Sequence, residues 1–384
     1  MLQSVRPSAA ALLALALSLA GLAVTMASTA AHAAPAFERE VRVGSSAALS
    51  GPAAALGTRY HAGARAYIEQ INKQGGVHGM SVAIDLRDDT YEPARADANT
   101  RALVDDPRVL ALFGYVGTPT SQAALAYVRR GQIPFIGAFT GAEMLRDTTQ
   151  TQVFNVRASY RDEAKALALA MKASGVRRLN VLYQADLFGR AGLEAIRDAA
   201  AEARIELGAV STVKRNTTEV DEGVAALVQQ STADAIFMVS TYESCAAFVK
   251  LARKRGFEGM FYTLSFAGLE PLRAALGREQ RPLVIAQVVP DPHDAGLPVV
   301  AAYQKAMLET GDKQFDSISL EGFLSAKVLV EGLRRTKPPL TREGLRRSLE
   351  GLGELDLGGF TVRYGNGDRG GSGFISIRTI GGRS

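Results

Sequence analysis

Residues able to do covalent chemistry are few in this chain, and they stand apart from one another. A serine hydrolase of the α/β type needs Gly-x-Ser-x-Gly on a strand-to-helix turn. Ser50 has Gly51 directly behind it and Ala48 two places before it, so it does not meet the pattern. No Gly-x-x-x-x-Gly-Lys-Ser/Thr run is present to cradle a phosphate. Gly367, Gly370, Gly371 and Gly373 precede a strand-like stretch rather than a helix and read as a turn. His61, His78 and His293 are isolated, without the His-x-x-x-His spacing of a metal pair. Asp85, Asp88 and Asp89 are the densest carboxylate group, and their place after a strand suits loop and cap residues. No cofactor, no metal and no catalysed reaction are expected.

Two other segments suit binding. In Gly117-Thr118-Pro119-Thr120-Ser121 a strand pattern ends and a helix pattern begins. Thr118 is placed as an N-cap, with Pro119 at the first helical position. Free backbone N–H groups and the helix dipole at such a place favour an anion, for example a ligand carboxylate. The same residues also serve as a plain cap with no ligand. In Phe135-Ile136-Gly137-Ala138-Phe139-Thr140-Gly141 another strand runs out into small and hydroxyl residues. Both segments sit at carboxyl ends of strands, where open α/β sheets bind ligands.

The elements that position these segments follow from hydrophobic periodicity. Strands are expected at 41–44, 81–86, 109–113 and 133–136, alternating with helices at 58–72, 94–104 and 121–130. A second series follows, with helices at 163–173, 189–203, 220–230 and 246–255 between strands at 179–183, 205–211, 235–239, 260–264 and 283–289. Helices near 299–309, 320–335 and 342–349 and strands at 359–364 and 373–380 close the chain. The fold class is therefore α/β, with two doubly wound parallel sheets in a two-lobe plan.

The N-terminal stretch reads as an export signal. Arg6 supplies a positive charge, Ala9–Val24 is an apolar run, and Ala31-His32-Ala33 offers a small-x-small cleavage pattern. Residues 1–33 are expected to be removed and the protein to work in the periplasm. The chain behind them exceeds the size at which single cores split into lobes. Cys245 is the only cysteine, so no intramolecular disulfide forms; it reads as a small core residue. The net charge of +5 is spread over Arg177-Arg178, Arg253-Lys254-Arg255, Arg334-Arg335 and Arg346-Arg347 without interleaved aromatics. These read as solvated helix surface, and no nucleic-acid partner is expected.

The chain resembles the substrate-binding proteins of branched-chain amino acid ABC transporters, the leucine/isoleucine/valine-binding type of type I periplasmic binding protein. Its markers are Leu49-Ser50-Gly51-Pro52, Ile71-Asn72-Lys73-Gln74-Gly75-Gly76-Val77-His78-Gly79, Asp88-Asp89 and Asp186-Leu187-Phe188-Gly189. The resemblance implies lobes joined by a three-strand hinge, lobe one at 36–157 plus 290–366 and lobe two at 158–289 plus 367–384. It also implies a monomer that delivers its ligand to a membrane ABC permease; a periplasmic sensor feeding a membrane receptor or histidine kinase would use the same fold. Thr118 and Thr140 fall where the family holds the ligand carboxylate, Ala138 where a carbonyl meets the ammonium group, and Leu56 where the side-chain pocket is lined. Phe188 and Tyr242 match aromatic positions of the second lobe, and Ser50 follows the first strand. One departure stands out. Amino-acid binders place a carboxylate after the strand at 260–264, whereas this chain has Ser265 and Phe266 there. Burying an ammonium without a counter-charge is costly. Glu243 or Asp186 would have to substitute, or else the ligand is a carboxylate lacking the ammonium.

Overall fold

The computed structural model describes residues 40–279 and 282–381. The expected signal and cleavage after Ala33 lie outside the described residues. From the start of the described chain, β1 (Glu40–Ala47), α1 (Ala54–Lys73), β2 (Ser81–Asp88), α2 (Pro93–Asp105), β3 (Val109–Phe113), α3 (Thr118–Gly131), β4 (Phe135–Ile136) and β5 (Val153–Phe154) build the first sheet and its helices. Then come α4 (Tyr160–Ala173), β6 (Arg178–Gln184), α5 (Leu187–Ala203), β7 (Glu206–Val213), α6 (Asp221–Val224), β8 (Ala235–Val239), α7 (Tyr242–Lys254), β9 (Met260–Thr263), α8 (Leu269–Leu276) and β10 (Leu283–Gln287). The chain returns through α9 (Pro298–Glu309), α10 (Ser317–Arg335), α11 (Arg342–Glu350), β11 (Gly353–Asp356), β12 (Thr361–Gly365), β13 (Asp368–Gly371) and β14 (Ser376–Ile380).

The first sheet is parallel throughout, in the order β2-β1-β3-β4-β5. The second runs β14-β10-β9-β8-β6-β7, with β14 alone antiparallel, and β11–β13 form a small antiparallel sheet. The chain thus passes between the two large sheets three times, after β5, after β10 and after β13. Both sheets reverse their winding beside the first strand of their series. Such a reversal opens a crevice at the carboxyl ends of the strands. The turns after β1 and β3 lie at one crevice, and those after β6 and β8 at the other.

The structure departs from the expectations in detail: β5, α8, β11 and β13 are additional elements, and Gly370 and Gly371, expected in a turn, lie in β13, which pairs with β12. The helix expected over 220–230 is α6 continued by a π-turn through Gln229. Arg253, expected on a solvated face, is buried, with its guanidinium 4.6 Å over the Phe261 ring and donating to the carbonyls of Phe257 and Gly259. Lys and Arg stems pack on apolar surface wherever the head finds acceptors, and here the acceptors are backbone. Cys245 is buried as expected, and burial pushes its thiol up to about 12. No described helix is long and apolar enough to cross a membrane.

Helices α1 and α10 meet backbone to backbone. A Cβ added at Gly322 would lie 1.8 Å from the Tyr60 carbonyl oxygen, and one at Gly63 would lie 1.7 Å from that of Ser319. Replacing Gly322 by Ala is expected to force the helices apart and cost about 1–3 kcal/mol, the range for overpacking. Urea unfolding followed by circular dichroism measures it, and an unchanged midpoint would mean the helices slide freely.

Candidate ligand cleft

The first anchor of the site is the turn after β3. α3 begins at Thr118 itself, with Gly117 as N-cap at φ +98. This corrects the expectation that Thr118 caps the helix. A side chain at Gly117 would strike the Tyr91 ring at 2.2 Å, so glycine takes the cap position and the threonine hydroxyl is released from capping. That hydroxyl lies 2.7 Å from Thr140 Oγ1, and Thr140 donates in turn to the Tyr160 hydroxyl at 3.0 Å. All three side chains are buried. One turn into α3, the buried Ser121 Oγ has no hydrogen-bond partner. Three hydroxyls therefore converge with the positive end of a helix, a set of donors suited to a carboxylate. Thr118 and Tyr160 also line a cavity of 430 Å3 between residues 142–144, the start of α4 and α5, where Arg161, Arg190 and Arg197 stand beside Glu143, Glu194 and Asp198. The Ala138 carbonyl accepts from Thr140 N at 2.8 Å.

The second anchor is aromatic. Phe266 lies on a short helical turn after β9, and its ring centroid is 4.6 Å from Phe188, 5.5 Å from Phe139 and 6.0 Å from Tyr91. Phe188 continues to Tyr160 at 5.5 Å, so the aromatic cluster abuts the hydroxyls. Tyr91 takes φ +61, and a buried aromatic residue there costs of order 1–3 kcal/mol of backbone strain. Its N–H donates to Asp89 Oδ1, and its hydroxyl accepts from Gln184 across the cleft. Asp89 is itself held by Ser46 Oγ, and burial raises its carboxyl to about 6.

Beneath the aromatics lies a charged cluster that the sequence did not announce. Arg157 is 1% exposed, with its guanidinium 4.7 Å over the Phe139 ring. It donates to Ser265 Oγ and lies 3.6 Å from Glu163 and 3.7 Å from Glu321. Glu163 accepts from both Ser265 N and Ser265 Oγ, at 2.7 and 2.9 Å. Burial opposes the charge on Arg157, but the two carboxylates outweigh it and hold the guanidinium above its usual range. Burial raises both glutamates against the pull of Arg157, Glu321 to about 7.

The remaining candidates sit around this centre. Leu56 is buried in α1 against the Phe266 turn, where a Cβ on Gly268 would meet it at 3.1 Å. The Tyr242 hydroxyl accepts from Ala55 N at 3.4 Å across the cleft. Ser50 is exposed at the rim and bonded to Asp88. Asp186 caps α5 and takes Arg215 and Gln184, so its oxygens are engaged. Glu243 lines a rim pocket with Pro52 and Asn216. At that rim Arg215 and Asn216 reach Glu92 at 2.7 and 2.8 Å, and Ser317 reaches Glu270 at 2.9 Å on the other side.

A family model described as Periplasmic binding protein matches residues 40–375. The chain belongs to this family. A substrate-binding periplasmic protein from Ralstonia solanacearum superposes on this periplasmic binding protein with a TM-score of 0.84 and 32% identity, covering 89% of this chain and 98% of that one. A possible leucine/isoleucine/valine-binding protein from Rhodopirellula baltica SH 1 matches at a TM-score of 0.83 and 32% identity, covering 90% and 95%. Leu/Ile/Val-binding protein homolog 7 of Brucella abortus is 24% identical, over 90% of this chain and 88% of its own length. The relatives of this periplasmic binding protein are solute-binding proteins, and the two doubly wound lobes expected from the sequence are the fold they share.

Proposed function

We propose that the protein captures a small carboxylate between its lobes in the periplasm and presents it to a membrane ABC permease. The observation that carries this reading is the buried Thr118–Thr140–Tyr160 hydroxyl chain at the start of α3, opening onto the 430 Å3 cavity. Pockets of roughly 300–1,000 Å3 suit small ligands. The lobes are taken as 36–157 plus 290–366 and 158–289 plus 367–384. A ligand touching both favours the closed arrangement by its differential affinity, and no reaction is needed. The protein acts as a monomer and has no nucleic-acid partner. Mass spectrometry of ligand released from natively purified protein identifies the cargo. Thr118→Val keeps the shape and removes one donor to a charged group, worth about 1.5–3 kcal/mol or roughly ten- to a hundredfold in affinity. Calorimetry with that cargo showing equal affinity for both proteins would falsify the anion site.

A further inference from the structure

We propose that Arg157 and Glu321 form a proton-controlled switch for lobe opening: the guanidinium holds the second lobe while Glu321 carries a proton, and turns to Glu321 when that proton leaves. The inference goes beyond the capture reading and rests on its two lobes. Arg157 lies on the first crossing, between β5 of the first sheet and α4, which leads into β6 of the second. Its guanidinium faces both ways. On one side Nη2 donates to Ser265 Oγ, on the turn after β9 of the second sheet, and Ser265 in turn donates to Glu163 Oε1 at 2.9 Å. On the other side Nε stands 3.7 Å from Glu321 on α10, the helix packed backbone to backbone on α1 of the first lobe. That separation is outside hydrogen-bond range, and neither Nε nor Nη1 of Arg157 has a hydrogen-bond partner. Two donors of a buried cation are thus unused, and one of them faces a buried carboxyl that makes no hydrogen bond among the described residues.

The hydrogen bonds assign the proton. One guanidinium cannot neutralise two carboxylates, and a buried cluster sheds surplus negative charge by taking up a proton. Glu163 accepts through both oxygens, from Ser265 N at 2.7 Å and from Ser265 Oγ, which is the pattern of an ionised carboxylate. The proton therefore belongs to Glu321, in line with the rise of its carboxyl to about 7 by burial. The tyrosines around the cluster do not titrate in this range. Tyr60 of α1, which donates to the Gly137 carbonyl, Tyr160 of α4 and Tyr364 of β12 are held neutral by burial. Arg146 is a second cation nearby, and its Nη1 and Nη2 donate to the carbonyls of Ala142 and Arg157. When Glu321 ionises, Arg157 Nε is the unpartnered cationic donor already beside it. A charge-assisted pair with a carboxylate is stronger than a bond to a neutral hydroxyl. Ser265 then loses its tie to the crossing, and the closed arrangement loses a contact between the lobes.

The test reads lobe separation against pH. Pro52 and Thr218 are exposed and line the same rim pocket from opposite lobes, while Cys245 is buried. Pro52→Cys with Thr218→Cys therefore takes two nitroxide labels, and electron paramagnetic resonance follows their distance between about pH 5 and about pH 9. The expected result is a short distance at low pH and a growing long-distance population above neutral. The open-to-closed ratio rises by at most about tenfold per pH unit, the limit for one proton. Glu321→Gln in the same labelled protein is expected to keep the short distance throughout; Glu321→Met, which likewise has no proton to lose, takes its place if that variant does not fold. Ser265→Ala lacks the group that Arg157 holds and is expected to open at a lower pH than the unsubstituted protein. A distance that does not change with pH overturns the switch, as does an equal change with and without Glu321, or a Ser265→Ala protein that opens no sooner. Capture is tested apart from the switch by Thr118→Val, so either reading can fail without the other.

Discussion

Replacing Arg157 by Met is expected to lower stability by about 3–5 kcal/mol at pH 7, the cost of leaving buried charge without its partner. Glu163 and Glu321 are both buried beside the guanidinium. Without it they either ionise in an apolar surrounding or hold protons that the unfolded chain releases. The residues it ties together come from the first crossing, from α4, from the turn after β9 and from α10, so the loss is felt by both lobes. Urea unfolding of the variant measures the effect. The triple replacement Arg157→Met, Glu163→Gln, Glu321→Gln removes the orphaned charges and is expected to recover most of it. A loss under about 1 kcal/mol in the single variant would place the cluster in contact with water, where such pairs count for little.

Glu321 provides the second large effect, through pH. Its folded carboxyl titrates at about 7 because burial outweighs the pull of Arg157, against 4.5 for the free group. The folded state therefore keeps a proton that the unfolded state has released between these values. The contribution of this group is full below pH 4.5 and is lost as pH rises through 7, by up to about 3 kcal/mol. Glu321→Gln has no proton to lose. Relative to wild type its stability is expected to rise from pH 4.5 to pH 7 and level off above about pH 8. Taking the difference between the two proteins cancels Asp89, which is raised to about 6, and His61, which burial lowers to about 4 and which acts with the opposite sign. Denaturation curves at several pH values test this, and a difference that stays flat with pH would mean that Glu321 is ionised throughout.

The alternation of strands and helices could be read from the sequence because each element carries its own period. The 81–88 and 235–239 strands and the 317–335 helix are examples whose local pattern agrees with the fold. The two-residue strand β5 is too short to carry a period, whereas the equally short β4 lies in the apolar run 133–136 expected as a strand, and α8 is hidden among the residues after Ser265. Within the site, Thr118 and Thr140 were accessible because strand ends mark the binding edge of an α/β sheet. Gly117 was not legible as the cap, since its need comes from Tyr91, a distant residue across the crevice. Arg157, Glu163 and Glu321 had one local signal, a lone arginine in the apolar joint Val156-Arg157-Ala158. Its partners lie on three other segments and meet it only once the lobes are built.

The second and third crossings also govern how the chain can acquire its structure. β14 completes the edge of the second sheet beside β10, and α10 covers α1 of the first. Both additions come from the last fifth of the polypeptide. During synthesis, therefore, each half is still waiting for residues not yet made, and neither can settle as an independent unit. Long-range closures of this kind slow folding because loop entropy is lost before the contacts that compensate it form. A nascent chain of this topology remains pliant until nearly its whole length has left the ribosome.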